Sequence, residues 1–175
     1  MKKIAIVEDN RDLREALALM IQFTENFEVS GSYENAELAL KGIPQIKPDA
    51  VLMDINLPGY NGIECVSMLK REHPDIMFVM CTSYEDDDKI FKSLEAGASG
   101  YILKTDGPTK IIDGLVDLFD GGSPMSSNIA RKVVASFSRF ETQHTDIQLL
   151  TARERQILDL LAQGKLNKEV ADALE

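Results

Sequence analysis

Four apolar runs of strand length, each stopping at polar side chains, constrain this chain more than any other feature: KKIAIVEDN, DAVLMDINLPG, MFVMCTS and SGYILKT. They end at Glu8 and Asp9, at Asp54, at Thr82 and Ser83, and at Lys104. If the runs are neighbouring parallel strands, their carboxyl ends meet along one edge of a sheet, where open α/β sheets carry their ligand sites. That edge then gathers three carboxylates, a hydroxyl and an ammonium.

The segments between the runs support this arrangement. Strand-like stretches at 3–7, 27–31, 49–53, 76–81 and 99–103 alternate with helical patterns. Several are nearly continuous in apolar residues, as strands covered on both faces require. Helical spacing predicts helices over 11–24, 34–41, 63–71, 86–96 and 108–120, with Gly31 and Pro44 as punctuation and Pro108 suited to a first turn. Five βα units make a five-stranded, doubly wound parallel sheet, an α/β fold.

Three crowded carboxylates raise one another's pKa or demand a cation. A hard divalent ion with oxygen ligands meets that demand, and Mg²⁺ takes a few carboxylates together with waters and phosphate oxygens. Thr82 and Lys104 suit a phosphoryl group, as hydroxyl donor and point charge. Each element alone has a plainer reading. An acidic pair after a strand often caps a helix, which Asp9 or Asn10 can do, and LPGYNG at 57–62 would serve as a simple turn. The ordered set of four blocks carries the chemical reading.

Over residues 1–121 these blocks resemble the flavodoxin-like receiver domain of bacterial two-component response regulators. The resemblance implies that Glu8 and Asp9 hold Mg²⁺, with the backbone carbonyl of Asn56, and that Asp54 accepts phosphate from a sensor histidine kinase. It makes Thr82 the hydroxyl that moves onto the phosphoryl group, Tyr101 the aromatic switch residue and Lys104 the phosphate-pairing lysine. Asn56 and Tyr84 fall where the family tunes its slow self-dephosphorylation. Thr105 stands where the family often has proline, a departure that puts the family's usual cis peptide at this joint in question, and Ser83 stands where alanine or glycine is common.

After Gly122 the pattern changes. Ser123-Pro124 breaks the chain, Ser126 or Ser127 can cap a helix, and Ile129, Val133, Val134, Phe137 and Phe140 recur at helical intervals. Residues 122–148 therefore read as a linker containing a helix, with a polar joint at 141–148. In 149–175, Thr151 and Glu154 form a capping box ahead of Ile157, Leu158, Leu160 and Leu161, and Gly164 ends that helix before a second one from Asn167. The wording LTARERQILDLLAQGKLNKEVA resembles the LuxR-type helix-turn-helix of NarL/FixJ response regulators. By that resemblance the segment is the N-terminal part of the module, truncated before its recognition helix. DNA is then expected to be a partner of the full-length protein only, because base readout needs side chains from that helix.

Charge divides in the same way. Residues 1–125 carry 22 acidic and 12 basic side chains, a net charge of −10, whereas 126–175 carry seven of each. The first part would be repelled by nucleic acid. Cys65 and Cys81 lie in apolar segments and read as reduced core residues; His73 and His144 read as surface residues. With no signal-peptide pattern and no membrane-length apolar run, a cytoplasmic protein without a membrane partner is expected. Homodimerisation on phosphorylation follows from the resemblance.

Rival readings fit less well. A haloacid-dehalogenase-type phosphatase wants a second aspartate two residues after the nucleophile, where Asn56 stands, and a flavin carrier wants a hydroxyl- and glycine-rich loop where EDNRDLRE stands. A phospho-dependent protein-interaction module without DNA binding is the nearer alternative. Beyond self-phosphorylation from a phosphodonor and slow autodephosphorylation, no enzyme activity is expected.

Overall fold

The computed structural model describes residues 1–136 together with Thr151, Gln156 and Leu160. The chain divides into two units, Met1–Val133 and Val134–Glu175. In the first, five strands, β1 (Lys2–Val7), β2 (Phe27–Tyr33), β3 (Ala50–Met53), β4 (Met77–Thr82) and β5 (Gly100–Leu103), form one parallel sheet in the order β2-β1-β3-β4-β5. Helices α1 (Arg11–Gln22), α2 (Ala36–Ile46), α3 (Gly62–Glu72), α4 (Asp87–Glu95) and α5 (Pro108–Phe119) join them. The predicted doubly wound α/β fold is the fold observed.

Two apolar layers explain why the strands read as continuous hydrophobic runs. On one face Ile4, Ile6, Leu52, Val79, Cys81 and Ile102 pack with Leu17 and Ile21 of α1 and Ile111, Leu115 and Leu118 of α5. On the other Ala5, Val7, Val51, Met53, Phe78, Met80, Tyr101 and Leu103 pack with buried residues of α2, α3 and α4. Strand side chains alternate between these two layers, so β3, β4, β5 and the end of β1 are covered on both faces and read as apolar throughout, whereas the edge strand β2 keeps polar residues.

Local chemistry fixes the helix starts. The side chains of Asn10, Asn35, Asn61 and Asp86 accept backbone N–H bonds at the heads of α1 to α4, and Asn61 with Glu64 completes a reciprocal capping box. Pro108 opens α5 where no N–H is needed. The main departure from the expected boundaries is α2, which continues through Pro44 to Ile46. Proline costs a helix one N–H bond, but near its end burial of Ile43 and packing of Ile46 on the core outweigh that loss. A short 3₁₀ turn over Lys104–Asp106 follows β5, and the peptide joining Lys104 and Thr105 is trans.

A sixth helix, α6, occupies residues 127–136, with the Ser126 hydroxyl accepting the Ile129 N–H at 3.3 Å. This is the predicted linker helix as far as the described residues reach. Phe137, Phe140, the polar joint at 141–148 and the two expected helices of 149–175, apart from Thr151, Gln156 and Leu160, lie outside the described residues. Among the described residues no helix is long and apolar enough to cross a membrane.

One glycine is demanded by the approach of two elements. A Cβ at Gly62 would lie 1.9 Å from the backbone oxygen of Asp54, so only glycine lets the head of α3 close against the loop leaving β3. Gly62→Ala is expected to destabilise the fold by about 1–3 kcal/mol, the usual cost of forcing atoms into a filled space. The urea-denaturation midpoint checks this, and an unchanged midpoint would contradict the packing described.

Candidate functional site

The strand order switches between β1 and β3, the point at which open α/β sheets carry their ligand sites at the carboxyl edge. Glu8 and Asp9 leave β1, Asp54 leaves β3, Thr82 ends β4 and Lys104 follows β5. The structure therefore brings all five residues predicted from the four blocks to one edge. Asp54 is fixed by its own N–H, which donates to the Val7 carbonyl at 2.9 Å, tying the two acidic strand ends together.

Lys104 is the hub. Its Nζ lies 2.6 Å from Glu8 Oε2 and 2.9 Å from Asp54 Oδ2, with both carboxylates almost wholly buried. Burial pulls the lysine toward neutrality, but the hydrogen bonds and charges of its two carboxylate partners outweigh it, and its pKa is raised. Burial is also the chief influence on Glu8; with the neighbouring Asp54 charge, it lifts the Glu8 carboxyl against the opposing pull of Lys104. One cation shared by two anions is thus held firmly charged, while one of the anions sharing it is pushed toward its acid form.

Three carboxylate oxygens, one each from Glu8, Asp9 and Asp54, lie within 4.8 Å of one another. Asp9 is exposed, and the helix cap beside it is Asn10, so its carboxylate is not spent on α1. Arg14, unnoticed in the sequence, donates from Nη1 to the backbone carbonyls of Glu8 at 2.6 Å and Asp9 at 3.3 Å and so fixes the acidic loop. Its place one turn into α1 was the only signal, and Arg11, three residues earlier, had as good a claim. Asn56 is exposed in the loop beyond Asp54.

Two buried oxygens, Asp54 Oδ1 and Thr82 Oγ1, have no hydrogen-bond partner among the described residues. Buried polar atoms are nearly always satisfied, and exceptions point to a missing ligand or a catalytic role. The hard oxygen donors, the unpartnered Asp54 oxygen and the crowding of negative charge all fit a divalent cation. Cys81 lies just behind; burial pushes its thiol up to about 12, so it stays a neutral core residue, as expected, and Cys65 is held the same way.

A chain of contacts leads away from the edge. Tyr101 is fully buried, and its hydroxyl donates to the backbone carbonyl of Tyr84 at 2.9 Å. Its phenol is shifted upward, chiefly by burial and then by the carboxylates around it. Tyr101 therefore already occupies the interior in this conformation. The Tyr84 ring is capped by the Lys89 ammonium, 3.3 Å from its centroid.

Relief of carboxylate crowding is directly measurable. In the absence of divalent cations Asp9→Asn is expected to raise the melting temperature by roughly 2–4 °C, and Mg²⁺ is expected to raise that of the wild type more than that of the variant. An equal rise in both, or none in either, would contradict a cation site built on Asp9.

Comparison with known proteins agrees with this geometry. The family model for the response regulator receiver domain matches residues 4–115, and that for bacterial regulatory proteins of the luxR family matches residues 148–175. The transcriptional regulatory protein LiaR of Bacillus subtilis (strain 168) is 32% identical over 174 residues, covering 99% of this chain and 82% of its own length. The response regulator GacA of Pseudomonas syringae pv. syringae (strain B728a) is 30% identical over 174 residues, covering 99% and 81%. A crystal structure of a LuxR-family two-component response regulator from Aurantimonas sp. SI85-9A1 superposes with a TM-score of 0.74 at 26% identity, covering 79% of this chain and 99% of that one. These matches favour a transcriptional regulator over a protein-interaction module without DNA binding. The chain belongs to the two-component response regulators of the LuxR-type (NarL/FixJ) family, which control transcription.

Proposed function

We propose that Asp54 is the phosphoacceptor of this regulator, charged by a sensor histidine kinase, and that the phosphoryl group is read by Thr82, Tyr101 and Lys104. The observation that carries this reading is the pair of buried, unpartnered oxygens, Asp54 Oδ1 and Thr82 Oγ1, at the strand edge where Lys104 and the acidic pair converge. Glu8, Asp9, Asp54 and the Asn56 carbonyl would hold Mg²⁺, which when bound offsets charge on the phosphoryl oxygens.

In the transfer, an Asp54 oxygen forms the new P–O bond as the P–N bond of the kinase phosphohistidine breaks, its electron pair returning to the imidazole. Lys104, already 2.9 Å from Asp54, is held charged and ready to follow the phosphoryl oxygens. Thr82 supplies a hydroxyl donor that has no competing bond to break. Phosphorylation adds about −1.5 to −2 charge at this edge, drawing both groups inward. The space behind Thr82 then favours the buried position that Tyr101 holds here. Acetyl phosphate can serve as donor for self-phosphorylation, and slow autodephosphorylation is tuned by Asn56 and Tyr84, whose aromatic ring hinders attacking water.

The domain reading remains 1–121 receiver, 122–148 linker and 149–175 the first part of a LuxR-type helix-turn-helix, through which DNA is the output partner of the full-length protein. A cytoplasmic location accords with this role. Phosphorylation-dependent homodimerisation is supported on the α1–α5 side by exposed Leu19 and Phe23 at α1 and Val116 on α5.

Intact-protein mass after incubation with acetyl phosphate and Mg²⁺ tests the proposal. A single phosphoryl adduct is expected, absent without Mg²⁺ and absent in Asp54→Asn, with faster decay in Tyr84→Ala. No adduct, or one that survives Asp54→Asn, would overturn the assignment; equal decay rates would remove the role of Tyr84.

A further inference from the structure

The stretch after α5 does not leave the receiver as a free tether. The Ser123 hydroxyl donates to the Ser99 carbonyl at 2.7 Å, and the Tyr101 N–H donates to the Pro124 carbonyl at 2.8 Å. Met125 makes a parallel bridge with Tyr101, so the chain adds a one-residue edge beyond β5. Gly100 permits this approach, since a Cβ there would lie 2.6 Å from Pro124 Cγ.

The first turns of α6 then close over the α4–β5 face. Ile129 is fully buried in the same apolar cluster as Ile90 and Tyr101, with Met125 and Val133 packed against it. Polar contacts fix the helix to the loop before α4 and to the first residue of α4. Asn128 Nδ2 donates to Glu85 Oε2 at 3.2 Å, while Lys132 Nζ pairs with Asp87 at 3.2 Å and donates to the Glu85 carbonyl.

These contacts close a ring around Tyr101. Its backbone N–H holds Pro124, its hydroxyl holds the Tyr84 carbonyl, and the next carbonyl, that of Glu85, is held by Lys132 of α6. Tyr84 and Glu85 lie two and three residues beyond Thr82, on the loop that must shift if Thr82 moves onto a phosphoryl group. Burial of the Tyr101 ring is therefore favoured from one side by α6 and from the other by displacement of Thr82.

We propose that the α4–β5 face is an internal docking surface for residues 123–133 of this same chain, and that docking is positively coupled to the phosphoryl group on Asp54 through Tyr101. The inference rests on Asp54 being the phosphoacceptor. Two events that favour one state favour each other by the same factor, so the phosphoryl group tightens the docked helix and the docked helix strengthens retention of the phosphoryl group. A second copy of the chain must then use another face, because this one is already filled.

Hydrogen exchange of the whole chain, with and without beryllofluoride and Mg²⁺ as a phosphoryl mimic, tests the coupling. Amides of 127–133 are expected to exchange about five-fold more slowly or better with the mimic, the lower end of ordinary coupling between sites. A doubly substituted Asn128→Ala, Lys132→Ala protein, altered only at the surface, is expected to bind the mimic more weakly by a similar factor. Protection around 54–56 and 82–84 without any change at 127–133, or faster exchange there, would overturn the coupling while leaving the phosphoacceptor standing. No protection at either place would overturn both.

Discussion

A single ammonium, that of Lys104, bridges two buried carboxylates on neighbouring strand ends, and the rest of the site is arranged around that bridge. Without it, Glu8 and Asp54 would be two like charges with no solvent to separate them. With it, the edge holds a net negative charge that still has room for a cation. It also holds an aspartate oxygen with no partner of its own. The arrangement is stable enough to fold and unsatisfied enough to bind, as the phosphoacceptor role proposed for Asp54 requires.

The path outward from this edge consists of discrete contacts. Thr82 is buried with no hydroxyl partner among the described residues, Tyr101 is buried with its hydroxyl on the following loop, and that loop is shared with α6. A packed interior responds to a local charge by changing between alternative packings rather than by bending smoothly. A Thr82 hydroxyl that gives up no hydrogen bond to the described residues makes such a change inexpensive, while Tyr101 keeps its buried place. Lys89 stacks on the Tyr84 ring of that loop and takes no part in the bridge.

Much of this was legible in the sequence because the information is local. Strands buried on both faces must be apolar throughout, and their ends must be polar where a site opens, so four short blocks located Glu8, Asp9, Asp54, Thr82 and Lys104. Pro108 likewise announces a helix start by its own chemistry, and the helix expected from Asp86 is capped by that residue. What escaped depends on how the elements meet in space. Passage of α2 through Pro44 is decided by packing against the core, not by proline's local preference. The role of Arg14 needed the turn of α1 relative to β1, and the contacts of Asn128 and Lys132 with Glu85 and Asp87 span more than forty residues. Ile129 and Val133 were read as one face of a linker helix, but no local pattern could say that this face would meet Tyr101.

The central claim is that the bridge formed by Lys104 yields to a phosphoryl group on Asp54 and that Thr82 joins it. The structure of the whole chain bound to beryllofluoride and Mg²⁺ tests this most directly. The account predicts Thr82 Oγ1 and Lys104 Nζ within hydrogen-bonding distance of the fluorines on Asp54, with Tyr101 still buried. Thr82 left without a partner and Lys104 still bridging Glu8 and Asp54, with the mimic in place, would contradict it.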